Sequence, residues 1–127
     1  METYFSKQVQ ELYEKSLEII SHTSMLKAIR THELVDVEIS QDFKEAFFRL
    51  IDKVSLSLME EKDNFYGYFF FQMGREIRFD ISSPSAVNFK GAKYVIYFNP
   101  IIFLTLNIKQ METTIKHEIH HLSLIHI

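Results

Sequence analysis

The chain has no cysteine among its 127 residues. That excludes disulfides and thiolate ligands, so any metal would have to sit on histidine and carboxylate side chains. It also suits a reducing compartment, and the cytoplasm is the expected location. An excess of one charge is missing too: 14 Lys and Arg stand against 17 Asp and Glu, a formal net charge of −3 with no long run of either sign. Such a balance leaves no electrostatic footprint for nucleic acid or an anionic membrane, and neither is an expected partner. No apolar run approaches the roughly 20 residues of a membrane span. The stretch from Met1 to Lys7 lacks the basic start and apolar core of a secretory signal. Repeats, low-complexity tracts, and the G-x-G-x-x-G, Walker and G-x-S-x-G motifs are also absent. What is present, 46% hydrophobic and 14% aromatic residues, places the chain with globular rather than disordered proteins, at one domain's length.

Read in order, residues 1–40 form an N-terminal helical part. Glu2 to about Arg30 is expected to be helix, with Phe5, Val9, Leu12, Leu17 and Ile20 as its apolar side. Thr31 to Ile39 alternates only partly and reads as a connector or a short strand. Residues 41–121 form the core. Ser40 caps a second helix whose wide face is Phe43, Phe47, Leu50, Ile51, Val54 and Leu58, and the charged stretch Glu60 to Asn64 ends it. Phe65 to Ile77 pulls two ways. Its aromatics favour strand, but its length and the four-residue spacing of Phe65, Phe69, Met73 and Ile77 favour helix, which is the expectation here. Ser82 to Ser85 is a turn. Ala86–Phe89 and Tyr94–Phe98 read as the strands of a hairpin closed by Lys90-Gly91-Ala92-Lys93. Asn99-Pro100 stops the second strand, and Ile101 to Leu104 is a short apolar turn or helix. The expected class is α+β, with a small hairpin or sheet packed on the last helix.

That last helix carries the chemistry. Asn107 with Gln110 three residues later has the residue types of a helix start. Ile108, Met111, Ile115, Ile119 and Leu122 then recur at spacings of three and four. On the opposite side lie His117 and His121, within His117-Glu118-Ile119-His120-His121, an H-E-x-x-H. Residues four apart on a helix sit one above the other, so both imidazoles can reach one ion. Glu118 beside them can take a proton from a metal-bound water. His120 points to the side of the pair. Read from pattern alone, an ordinary surface helix with histidines on its wet face stays open beside the zinc reading.

A catalytic zinc takes three protein ligands and a water, and only His117 and His121 are secure. His126 lies nine residues after His117, about 180° around a continuing helix, and is not expected to be the third. The last six residues, 122–127, are the in-frame translation of CTG TCT CTT ATA CAC ATC, a transposon-end sequence used in sequencing libraries. We therefore expect them to be adapter read-through and the natural gene to continue.

The order of these features resembles a known family. Pro84-Ser85-Ala86-Val87, then Tyr94-Val95-Ile96-Tyr97-Phe98-Asn99-Pro100-Ile101-Ile102-Phe103, then Lys116-His117-Glu118-Ile119-His120-His121 looks like the zincin-like metallopeptidase domain of bacterial VWA-like proteins. The resemblance covers roughly Phe65 to His121. In that family a small-residue turn leads into a hairpin, an N-P-x-x-F step and the H-E-x-x-H helix. The domain precedes a von Willebrand factor A-like domain and is often encoded near an AAA+ ATPase. Members often continue the motif with a Gly and a further His; here Ile125 stands where the Gly would be, which leaves His126 unmatched.

The resemblance implies a zinc-dependent peptidase. His117 and His121 bind Zn2+, Glu118 activates the water, and the strand Tyr94–Phe98 holds the backbone of a peptide or protein substrate. The chain on its own, lacking a third ligand, is expected to be inactive. The alternative is a non-enzymatic interaction module working with an AAA+ ATPase.

Overall fold

Three helices begin where the chain offers their first amides an acceptor. Ser40 Oγ accepts from the Phe43 N–H at 3.2 Å and opens one helix. Asn99 accepts from the Ile101 N–H at 3.1 Å and opens a second. Asn107 Oδ1 accepts from the Gln110 N–H while Gln110 Oε1 accepts from the Asn107 N–H, a reciprocal cap that opens the third. A computed structural model describes residues 2–27, 39–61, 70 and 72–125, with side chains placed for 4–21, 39–56, 70 and 72–121. The elements are α1 (Glu2–Lys27), α2 (Gln41–Glu61), β1 (Gly74–Ile77), β2 (Ser85–Lys90), β3 (Lys93–Phe98), α3 (Pro100–Phe103) and α4 (Ile108–Ile125). The class is α+β. None of the described helices is long and apolar enough to cross a membrane.

The sheet has the order β1-β3-β2. The β2–β3 hairpin is antiparallel, in the register Ser85↔Phe98 through Lys90↔Lys93. Gly91 has φ +68°, the left-handed geometry of a hairpin glycine at the first turn position. β1 lies parallel to β3, pairing Gly74↔Val95 through Ile77↔Phe98.

This corrects the helical expectation for Phe65 to Ile77 at its C-terminal end, where Gly74–Ile77 is a strand. The four-residue spacing misled because Met73 and Ile77 both reach the core, but from a bend and a strand. Parallel pairing to a distant strand leaves no local signature. Residues 62–69 and 71 lie outside the described residues, as do 28–38, where the connector was expected.

Side chains at alternate positions of the sheet face the helices. Ile96 and Phe98 of β3, with Val87 of β2 and Ile77 of β1, join Phe43, Phe47, Leu50, Ile51 and Val54 of α2 and Met111, Ile115 and Ile119 of α4. Phe47 is at the centre. Its ring stacks on Phe43 at 6.2 Å and meets Phe48, Phe98 and Phe103 edge-on at 5.5, 5.9 and 6.1 Å.

Two stripe assignments are corrected. Leu17 is 42% exposed, and the buried row of α1 runs through Phe5, Val9, Leu12, Ser16 and Ile19. Leu17 sits five residues after Leu12, out of the three-and-four spacing. Ser16 is tolerated inside because its hydroxyl donates to the Tyr13 carbonyl at 2.7 Å. Ile108 is 43% exposed, outside the core cluster, where it lines an open cavity with Phe5 and Val9.

The loop between β1 and β2 hangs on one side chain. Asn99 is buried, and its Nδ2 donates to the carbonyls of Phe79 (3.3 Å) and Ile81 (2.8 Å), while its backbone N–H donates to Pro84 O (3.0 Å). Asn99→Ala should therefore cost about 1–3 kcal/mol, the penalty for stranding buried polar partners. Urea denaturation would check it. Asn99→Asp, which keeps the cap but loses the donor, should cost nearly as much.

Candidate metal site

Met111, Ile115 and Ile119 lock one side of α4 against α2 and β2. That fixes the rotation of the helix and hence what it presents elsewhere. His117 and His121 emerge exposed on the far side, within one unbroken helix. Glu118, about 100° around the axis from His117, comes out half-buried on the flank that faces the sheet. There Ser85, the first residue of β2 and only 4% exposed, donates its hydroxyl to Glu118 Oε2 at 2.7 Å. His120 is exposed but off the row of the pair.

Both imidazoles of the pair make no hydrogen bond or ion pair among the described residues, so none of these competes for their nitrogens. That donor set, with a carboxylate alongside, suits a zinc ion as two of its three protein ligands. No third comes from the described residues, among which no three His, Asp or Glu side chains gather to hold a metal. His126 lies outside the described residues.

Near this site the chain also has an open strand edge. The Asn99 N–H bond to Pro84 O marks 84/99 as a hydrogen-bonded pair. By antiparallel alternation Ala86, Asn88 and Lys90 then bond β3, and Ser85, Val87 and Phe89 turn their backbone outward. Two of those outward groups are plugged: Ser83 Oγ donates to Ser85 O at 2.8 Å, and Asn88 Oδ1 accepts from the Phe89 N–H at 2.9 Å. Among the described residues, both backbone groups of Val87 and the Phe89 carbonyl stay open.

The strand expected to hold a substrate backbone, Tyr94–Phe98, is instead the middle strand, saturated by β1 on one side and β2 on the other. A peptide cannot add to it. The hairpin was legible, but the parallel partner that makes β3 central was not.

Sequence reasoning also passed over Ser85, which reads as one more turn residue in Ser82-Ser83-Pro84-Ser85. Only the fold, 33 positions apart in sequence, brings it to Glu118. Upstream of it, a hydrogen bond from Arg78 holds the Asp80 carboxyl below its usual range against a smaller opposing effect of burial. Arg78 also lies over the Tyr97 ring at 5.6 Å, which pins the start of the loop that delivers Ser85.

A separate cavity of about 570 Å³, lined by Phe5, Val9, Lys53, Leu106 and Ile108 among others, lies at the opposite end of α4. It carries neither histidine nor carboxylate and has no part in the metal site. No family model, curated protein or solved structure matches the chain.

Proposed function

We propose that the chain carries the metal-binding helix and general base of a zinc-dependent, zincin-like peptidase acting in the cytoplasm. The observation that supports this most is the contact of Glu118 with Ser85. A glutamate on a plain surface helix has no need of a buried strand hydroxyl, whereas a general base has to be held beside its water.

His117 and His121 would hold the ion through imidazole nitrogens, with a third ligand still to be supplied. Bound zinc would lower the pKa of its water toward about 7, so that hydroxide is available at neutral pH. Glu118 takes the proton of the attacking water and passes it to the leaving amine. A substrate peptide lies along the outer edge of β2, where the Val87 backbone groups and the Phe89 carbonyl can pair with it as an added strand.

Glu118→Gln tests the assignment. The amide keeps the shape of the side chain but accepts no proton. Cleavage of an unfolded protein substrate by the full-length protein should drop by about 10²–10⁴-fold, the usual contribution of a general base. Zinc binding should be retained. Unaltered cleavage would remove Glu118 from the mechanism.

A further inference from the structure

We infer that Ser85 is a positioning residue whose hydrogen bond holds Glu118 back from the metal, so that the carboxylate serves as a base instead of a ligand. The inference rests on the metallopeptidase reading and concerns what decides between two fates of Glu118.

A zinc ion on His117 and His121 alone has open coordination positions, and a carboxylate is an ordinary zinc ligand. Glu118 adjoins His117 on the same helix and has three rotatable bonds before its oxygens. Unrestrained, it would close onto the ion, displace a water and leave no base.

The restraint is specific. Ser85 Oγ has a single proton and donates it to Oε2 at 2.7 Å, which leaves Oε1 as the oxygen that can meet a water. The hydroxyl is held by rigid surroundings. Ser85 is 4% exposed, its carbonyl is bonded by Ser83 Oγ at 2.8 Å, and its ladder partner Phe98 is fully buried beside Phe47 and Phe103. The carboxylate is thus tied to the sheet while both histidines belong only to the helix. Outer contacts of this kind orient the groups around a metal.

The sign of the effect separates this role from a merely structural one. Zn2+ binding by the chain, measured by competition calorimetry with a chelator, should be about tenfold tighter in Ser85→Ala, as a third protein ligand replaces a bound water. Ser85→Thr, which keeps the hydroxyl, should bind like the wild type. The gain should vanish in the Ser85→Ala/Glu118→Gln double variant, because the added ligand is Glu118 itself. A serine that only supports the fold predicts equal or weaker binding in Ser85→Ala, and that result overturns the inference.

If Ser85→Ala does not fold, Glu118→Gln alone decides. Unchanged affinity supports a restrained Glu118, and a marked loss means Glu118 already ligates and the inference is wrong. Failure of both the wild type and Ser85→Ala to bind Zn2+ would sink the metal reading itself. Wild-type binding that needs His117 and His121, with no gain in Ser85→Ala, would sink this inference alone.

Discussion

Phe47→Ala should destabilise the protein by about 3–5 kcal/mol, the range for deleting a fully buried phenylalanine ring. Phe47 is 0% exposed and touches four other rings drawn from α2, β3 and α3, so one truncation opens a cavity where three elements meet. With whole domains stable by only about 5–15 kcal/mol, that removes a large share of the margin. Urea titration followed by far-UV circular dichroism suits the measurement, since the chain has no tryptophan. Phe47→Leu, which keeps most of the volume, should cost less than about 1.5 kcal/mol. A loss below about 1 kcal/mol in Phe47→Ala would mean the rings do not meet as described.

The second large effect is on ligand-linked stability. Zinc that binds only the folded chain, at a concentration 100 times its Kd, should stabilise it by about 2.7 kcal/mol. For a chain of this size that is a rise in melting temperature of about 10 °C. The rise should disappear in His117→Ala and in His121→Ala, persist in His120→Ala and His126→Ala, and reverse with a chelator. Six histidines in the chain make these controls necessary.

Affinity should be weak, because two nitrogens are completed by water, and peptidase activity of this chain alone should be slight. A third protein ligand should tighten binding. A rise that survives the loss of His117 and His121 but not of His126 would relocate the site.

Local signals were the legible part of this molecule. Ser40 and Asn107 announce helix starts because a side-chain oxygen near an amide is a property of neighbouring residues. The hairpin was equally plain from Lys90-Gly91-Ala92-Lys93 between two alternating runs. The fate of Gly74–Ile77 was not, because a four-residue strand in parallel pairing takes its stability from a partner 21 positions away.

The same boundary runs through the candidate site. His117, Glu118 and His121 could be read because one turn of helix relates them. Ser85 could not, since nothing in Pro84-Ser85-Ala86 distinguishes a hydroxyl that meets a carboxylate from one that ends a turn. Leu17 shows the limit within a helix: hydrophobic residues were assigned to the core by type, and the fold preferred Ser16 at the correct angle.

The outward edge of β2 has a cost in solution behaviour. A strand with unpaired amides and carbonyls is a template for a second copy of itself, and edge-to-edge association of this kind is how many sheets begin to aggregate. Here the side chains of Ser83 and Asn88 stopper two of the outward groups. Lys90 adds a charge beside the turn, angled toward Glu76 at 3.7 Å. The segment left for another chain spans about three residues, too short for two copies to grip one another for long, yet enough for a peptide anchored by its other contacts. Colloidal stability at high concentration therefore rests on two small polar side chains, and replacing Asn88 by valine would lengthen the sticky stretch toward the hairpin tip.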